Sequence, residues 1–154
     1  MPNVSAGLLM FRRAEQGLEA FLAHPGGPFF RNKDAGAWTL PKGLHTPEET
    51  LLETARREFH EEIGLPVTEP LLPLGEVRQR SGKIVHAWAF EGSAPIDFVP
   101  ASNTFELEWP PRSGKLQLFP EVDRARFFSL AEARIKMIAA QTAFLDRLVA
   151  LLTH

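Results

Sequence analysis

The sequence contains no cysteine. Disulfide bonds, thiolate nucleophiles and cysteine zinc sites are therefore excluded, and a cytoplasmic location is the simplest expectation. The longest apolar runs, such as GLLMF and LVALL, are far shorter than the roughly 18 residues of a membrane-spanning helix. No charged-then-apolar leader opens the chain. We therefore expect neither a membrane partner nor export.

The chain also lacks a strong charge of either sign. Its 17 Lys and Arg and 19 Asp and Glu residues give a formal net charge of -2, so we expect no bulk binding of nucleic acid. Hydrophobic residues make up 44% and charged residues 23% of the chain, close to the average of soluble globular proteins. The length of 154 residues fits one domain. We expect residues 1–154 to form a single domain, as a monomer or a homodimer.

The order of predicted strands and helices indicates an α+β fold with a mixed sheet. The runs VSAGLLMFRR and LEAFLAHPGG are predicted to form an antiparallel hairpin. Four further runs are predicted to be strands: LGEVRQ, KIVHAWAFEG, TFELEWP and VDRARFFSL. The Pro-rich stretch EWPPRSGKLQLFP is predicted to be an ordered loop near a site. One broken helix or two consecutive helices, beginning with a capping box from Ser129 to Glu132, close the chain.

A long helix is predicted in the first half of the chain, over residues 47–63. Thr46 and Glu49 fit a capping box at its start, and Pro47 suits the first helical position. Gly64 is expected to end the helix in a left-handed conformation. The apolar residues recur at helical spacing and are Leu51, Leu52, Ala55, Phe59 and Ile63. One face of the helix is therefore expected to pack on a sheet.

Three glutamates of this helix, Glu58, Glu61 and Glu62, lie at positions i, i+3 and i+4. They share one turn, where like charges destabilise an isolated helix. A divalent cation between them reverses this repulsion, and oxygen ligands without cysteine favour Mg²⁺, or Mn²⁺, over zinc. Because Mg²⁺ commonly shares its ligand shell with substrate phosphates, the cluster predicts phosphate chemistry. An isolated pair of glutamates usually marks a solvated helix face. Here, however, the surrounding residues also fit a longer sequence pattern.

The residues around the cluster fit the pattern G-x5-E-x7-R-E-U-x-E-E-x-G-U, where U is a bulky apolar residue. The polar and glycine positions are Gly43, Glu49, Arg57, Glu58, Glu61, Glu62 and Gly64. Phe59 and Leu65 fill the apolar positions. This stretch resembles the Nudix box, and the many matched positions make the resemblance specific. It implies an α/β/α sandwich, a divalent metal ion and hydrolysis of a nucleoside diphosphate linked to another group.

The resemblance also implies roles for individual side chains. Glu58, Glu61 and Glu62 are expected to bind the metal ion, often with help from the carbonyl of Gly43. Arg57 is expected to orient the glutamates through salt bridges.

The general base is left open between two glutamates, because Nudix enzymes take it either from the box or from a later loop. Glu61 is the first choice. Glu121, in FPEVDR before a predicted strand, is the second.

Cleavage of a phosphoanhydride next to several negative charges needs cations that hold the phosphates. Lys42 precedes the box, and WTLPKG resembles the W-x-x-P-K-G of Nudix enzymes that act on diadenosine polyphosphates and diphosphoinositol polyphosphates. Lys83 lies at a turn before a strand, where similar Nudix proteins have a phosphate-contacting lysine. Further candidates for substrate binding are Arg31, Lys33 and Trp38. Trp109 and Phe29 are aromatic candidates for base stacking, although such residues are usually core.

The leading prediction is a Mg²⁺-dependent hydrolase of nucleoside polyphosphates, with dinucleoside polyphosphates as the favoured class. Longer stretches of the chain resemble a bacterial group of predicted Nudix NTP pyrophosphohydrolases, so a nucleoside triphosphate pyrophosphatase is the alternative. An enzyme acting on capped RNA is weakly disfavoured by the charge balance. A non-catalytic Nudix-fold nucleotide sensor is a further alternative, and such sensors usually have damaged boxes.

Overall fold

The structure, a computed structural model, describes residues 3–153 of the chain. Its strands are β1 (Val4–Ala14), β2 (Gly17–Pro25), β3 (Lys42–Leu44), β4 (Leu72–Arg78), β5 (Ile84–Glu91), β6 (Thr104–Glu108), β7 (Leu116–Pro120) and β8 (Val122–Ser129). Its helices are α1 (Leu51–Glu62), α2 (Leu130–Lys136) and α3 (Thr142–Leu152), with a 3-10 turn at Ala139–Gln141. In the part described, no helix is long and apolar enough to cross a membrane.

The main sheet is mixed, as predicted. Its strands run in the order β4-β5-β1-β2-β8, and β3 pairs with the first half of β1. β1 and β2 form the predicted antiparallel hairpin, whereas β1 and β5 are parallel. This arrangement places the start of β5 and the start of β8 on the same sheet as β3, which leads into α1.

Helices cover both faces of this sheet and form two cores. Alternate residues of β1 point to opposite faces, so Leu8 enters the core under α1 and Leu9 enters the other core. α1 packs through Ala55, Phe59 and Ile63. The second core contains side chains of the two C-terminal helices, among them Ala133, Phe144, Leu145 and Leu148. The α/β/α sandwich is therefore confirmed.

The start of α1 differs from the prediction. Thr50, not Thr46, is the N-cap: its hydroxyl accepts a hydrogen bond from the Glu53 amide at 3.1 Å, and the Glu53 carboxylate accepts one from the Thr50 amide at 2.8 Å. Two consecutive T-x-x-E sequences, at residues 46–49 and 50–53, fit the same capping pattern. The carboxylate of Glu49 instead accepts a hydrogen bond from Arg57, so the second sequence forms the cap. The end is as predicted, because Gly64 has φ +83°.

The stretch predicted as a Pro-rich loop is also different. β6 and β7 pair antiparallel in a separate two-stranded sheet, in which Phe105 lies opposite Phe119. The alternating side chains of LQLF and TFEL allow these two segments to pair as β-strands. The prolines lie only in the turn and at the end of a strand, where the missing amide hydrogen is tolerated. The C-terminal prediction holds in its two-helix form, since the Ser129 hydroxyl caps α2 by accepting from the Glu132 amide at 3.1 Å.

Candidate active site

The site is built where β3 meets α1. Gly43 lies opposite Ala6 of β1, and Lys42 lies opposite Gly7. A Cβ atom on Gly43 would lie 1.9 Å from the carboxyl carbon of Glu58, and one on Gly7 would lie 2.7 Å from the Cβ of Lys42. Both positions therefore need glycine, because the Glu58 carboxylate and the Lys42 side chain occupy that space. The isolated glycine inside β1 was a sequence signal for such a close approach.

Negative charge is concentrated on the inner side of α1. Glu62 is only 8% exposed, and its burial, followed by the charges of Glu58 and Glu121, raises its pKa to about 8. Burial also raises the pKa of Glu58, with Glu61 and Glu121 adding to the rise and Arg57 opposing it. Burial is therefore the main reason that both carboxyl groups keep their protons to a higher pH than usual.

Arg57 joins the glutamates to the segment before the helix. Its guanidinium binds both oxygens of Glu49, at 2.8 and 2.9 Å. The remaining amino group donates to Glu58 at 3.0 Å and to Glu61 at 3.3 Å. The hydrogen bond from Arg57 is the largest cause that lowers the pKa of Glu49 to about 2. Glu49 is thus an anchor for Arg57, a role that its predicted place in a helix cap concealed.

Two lysines face the carboxylates. Burial, followed by the nearby charge of Lys83, lowers the pKa of Lys42 to about 8, while Glu62 and Glu58 oppose this change. Lys83 is half-buried on the turn before β5. The structure thus brings together Lys42, Lys83 and acidic side chains from two other parts of the chain.

Glu121 lies near the acidic cluster although it is distant from α1 in the sequence. It lies between β7 and β8 and is exposed. Its backbone amide donates to the carbonyl of Asn103 at 2.8 Å, and its carbonyl accepts from the amide of Gly26 at 2.9 Å. Its charge contributes to the raised pKa of both Glu58 and Glu62. The backbone anchors at Asn103 and Gly26 had no signal in the sequence.

Trp38 does not lie in the open site, and its predicted substrate contact needs correction. The side chain is 1% exposed, its indole nitrogen donates to Asp34 at 2.8 Å, and its ring packs edge-on against His24 and Phe128. A ring enclosed in this way cannot stack on a base. The tryptophan of WTLPKG instead fixes the segment that presents Lys42.

Arg31 and Lys33 are exposed on the loop of residues 26–37. Within residues 3–153 neither side chain forms an ion pair. The Lys33 ammonium lies 5.4 Å from the centre of the Phe30 ring. The structure therefore leaves both charges available at the surface but does not join them to the acidic cluster.

The chemistry of the cluster fits a hard divalent cation, although no finished metal cage exists among the described residues. No three His, Asp or Glu side chains of residues 3–153 converge as a ready set of ligands, because Arg57 holds two of the carboxylates. The pKa values of Glu58 and Glu62 are raised, first by burial and then by the neighbouring glutamates, so a bound cation would favour their ionised forms. Carboxylate and carbonyl oxygens are the ligands that Mg²⁺ accepts.

Comparison with known proteins identifies the family. The model of the NUDIX domain matches residues 1–150. The chain belongs to the NUDIX domain family and is a Nudix hydrolase. No curated protein matches the sequence.

Several solved structures share the fold at low sequence identity. The binary complex of a C. elegans Ap4A hydrolase is 22% identical, with a TM-score of 0.65 and 98% of each chain covered. The NUDIX domain of Shewanella oneidensis NrtR, complexed with ADP ribose, is 16% identical with a TM-score of 0.64, covering 99% of this chain and 89% of that one. The MutT protein of Methanosarcina mazei Go1 is 23% identical with a TM-score of 0.60, covering 99% and 97%.

Proposed function

We propose that this Nudix hydrolase cleaves a phosphoanhydride bond in nucleoside polyphosphates with Mg²⁺ as its metal, and that dinucleoside polyphosphates are its favoured substrates. The observation that carries the proposal is the meeting of Lys42 and Lys83 with the carboxylates of Glu58, Glu62 and Glu121. Cations that hold phosphates and oxygens that hold a metal ion are the two requirements of this chemistry.

The metal ion is assigned to the carboxylates of Glu58, Glu61 and Glu62 and the carbonyl of Gly43. Mg²⁺, or Mn²⁺ in its place, neutralises phosphate oxygens and makes a bound water more acidic. Gly43 suits this role because its lack of a side chain lets the Glu58 carboxylate lie against the backbone. Arg57 orients Glu58 and Glu61 through its two ion pairs, and Glu49 holds Arg57 in turn.

The two lysines position the polyphosphate. With its pKa lowered to about 8, Lys42 carries its charge in most molecules at neutral pH, and an anionic phosphate beside it favours the charged form further. Lys83 lies next to it and shares the same anion. Together the two lysines orient the polyphosphate for attack by water, which lowers the entropic part of the activation barrier.

Glu61 is the general base in this proposal, and Glu121 is the alternative. Glu61 lies on the same turn as the other two glutamates and accepts from Arg57 at 3.3 Å, so its carboxylate is held at the cluster. Glu121 is supported by its exposed position and by its electrostatic effect on Glu58 and Glu62. Replacement of the base is expected to reduce kcat by roughly 10²- to 10⁴-fold.

The two glutamates can be separated by matched substitutions. Glu61→Gln and Glu121→Gln preserve shape and remove one negative charge each. If Glu61 is the base, only its variant loses the dependence of kcat on an ionised carboxylate in a pH-rate profile. Full turnover by Glu61→Gln, with an intact pH profile, would reject this assignment.

The substrate class is supported by WTLPKG and by the structural likeness to the Ap4A hydrolase. The likeness to the MutT protein supports the alternative, a nucleoside triphosphate pyrophosphatase. The test is incubation with diadenosine tetraphosphate and with the nucleoside triphosphates in Mg²⁺, with mass detection of both products. We expect the higher kcat/KM with diadenosine tetraphosphate. Faster release of pyrophosphate from a triphosphate would establish the alternative, and no turnover with tight binding would favour a sensor.

A further inference from the structure

A buried glutamine joins the two segments that carry Lys42 and Lys83. Gln141 ends the 3-10 turn between α2 and α3 and is 0% exposed. We propose that Gln141 is a positioning residue: its carboxamide holds the segment before Lys42 and the turn before Lys83 together, so that both ammonium groups bind the same phosphate group. The inference rests on the proposed function, because it concerns the two lysines that hold the polyphosphate there.

The carboxamide of Gln141 contacts both segments directly. Its oxygen accepts a hydrogen bond from the backbone amide of Leu40 at 3.0 Å. Its nitrogen donates to the side-chain oxygen of Gln79 at 2.9 Å and to the hydroxyl of Thr39 at 2.8 Å. A backbone amide only donates, so the atom that faces Leu40 is the oxygen, and the nitrogen must face Gln79. These hydrogen bonds, the Gln141 link, join the segment before β3 to the turn after β4.

Each end of the link leads to a lysine along a short stretch of backbone. On one side, only Pro41 lies between Leu40 and Lys42, and its carbonyl accepts from an amide of β1 at 3.1 Å. On the other side, the amide of Gln79 donates to the carbonyl of Lys83 at 2.8 Å and so closes the turn. A change in the link is therefore expected to move one lysine relative to the other.

The two lysines need such a link because like charges repel each other. The pKa of Lys42 is lowered by burial and next by the charge of Lys83, so the two groups lie close enough to interact. Gln141 can oppose their separation without adding a charge to the site. Its hydrogen bonds are also enclosed, and a buried amide that loses its partner costs free energy.

The backbone around Gln141 is itself fixed on the segment before Lys42. The amide of Trp38 donates to the carbonyl of Lys136 at 2.9 Å, and its carbonyl accepts from the amide of Ile138 at 2.9 Å. The amide of Gln141 donates in turn to the carbonyl of Ile138 at 2.9 Å. The side chain of Gln141 therefore extends from a rigid base toward the turn that carries Lys83.

The experiment measures binding of inorganic pyrophosphate in Mg²⁺ by calorimetry. Pyrophosphate has neither base nor ribose, so its Kd reports on the groups that hold phosphate. Gln79→Ala cuts the link at the turn and leaves the Leu40 amide bonded to Gln141. We expect this variant to raise the Kd by on the order of tenfold, within the coupling that residues in contact show. Gln141→Leu should raise it at least as much, and the half-buried Gln79 carries the test if that variant does not fold.

A double-substitution cycle with Lys83→Ala separates positioning from a general loss of stability. If Gln79 acts through Lys83, Gln79→Ala weakens pyrophosphate binding in the wild type and has no further effect in the Lys83→Ala background. A purely structural role predicts the same fold-change in both backgrounds. The KM for nucleotides should rise with the Kd while kcat stays nearly unchanged, because substrate binding and not the chemical step is altered.

Gln16→Ala and Leu148→Ala are the matched controls. Gln16 is exposed in the turn between β1 and β2, so its variant removes a glutamine outside the site. Leu148 is buried in α3, so its variant destabilises the core without removing a hydrogen bond of the link. Both variants should keep the Kd of the wild type.

The role of Gln141 is overturned if the wild type binds no pyrophosphate, if Gln79→Ala keeps the Kd, or if the two losses multiply in the cycle. A protein that shows the coupling with Lys83 but hydrolyses neither diadenosine tetraphosphate nor a nucleoside triphosphate would reject the proposed function and keep this role. Normal nucleotide turnover with losses that multiply would do the reverse.

Discussion

The box of residues 43–65 and the aromatic pair of Phe29 and Trp109 differ in how their side chains are held. In the box, Arg57 contacts three carboxylates within 3.3 Å, and Glu62 is buried. In the aromatic pair, Phe29 is mostly exposed and meets Trp109 across two separate segments. Groups that act on the reacting atoms need fixed positions, whereas loops on a rigid scaffold carry recognition. The fixed carboxylates of the box therefore suit the proposed chemistry.

The strongest test of this division removes one charge from the box. Glu62→Gln keeps the shape of a buried side chain and deletes a proposed metal ligand. We expect kcat to fall at least a hundredfold, because even the outer partners of metal ligands cost about 10- to 100-fold. Steady-state kinetics with Mg²⁺ measures the loss.

Glu106→Gln is the matched control, since Glu106 is an exposed glutamate on the hairpin. It should leave kcat unchanged. An equal loss in both variants would mean that overall negative charge, and not the buried cluster, supports activity.

The second test weakens the orientation of the carboxylates in the box without removing a proposed metal ligand. Arg57→Lys keeps the positive charge but cannot bind Glu49 with two parallel hydrogen bonds while also reaching Glu58. We expect kcat to fall about 10- to 100-fold, with little change in KM, because the carboxylates lose their orientation and the phosphate-binding lysines are untouched. A variant that changes KM alone would place Arg57 in substrate binding.

The box was largely predictable because its interactions are local. Glu58, Glu61 and Glu62 share a turn through helical spacing alone, and Gly64 ends the helix as expected. The start of α1 was misplaced because two capping sequences follow one another directly, and the choice between them depends on the ion pair of Glu49 with Arg57. This ion pair joins residues eight positions apart and competes with a local helix cap, so helix propensities do not predict it.

The rest of the site depends on pairing between distant strands. Lys83 reaches Lys42 because β5 runs parallel to β1, and Glu121 reaches the cluster because β8 pairs with β2. These partners could be named as candidates, but their meeting needs the sheet order. β7 was missed because the prolines of its segment favoured a loop over the alternating pattern, whereas β6 lies within the predicted strand TFELEWP.

The smallest expected effect concerns how the metal-free box responds to pH. Glu62 has its folded pKa raised to about 8, so the folded state binds a proton that the unfolded state has released, and stability falls as pH rises from about 4.5 to 8. Lys42 has its folded pKa lowered to about 8 from 10.5. Above pH 8 the unfolded state holds the extra proton, so stability rises again with pH.

Together the two groups predict a shallow minimum of Tm near pH 8 in chelator. Glu62→Gln should weaken the decline on the acid side of this minimum, to which Glu58 also contributes, and Mg²⁺ should reduce it by binding the ionised carboxylates. Differential scanning calorimetry across pH 5 to 10, with EDTA or with Mg²⁺, measures these changes. Neither Phe29 nor Trp109 carries a titratable group, so Phe29→Ala should keep the minimum. A profile that Phe29→Ala alters and Glu62→Gln does not would overturn the contrast between a charged, fixed box and a neutral, exposed aromatic pair.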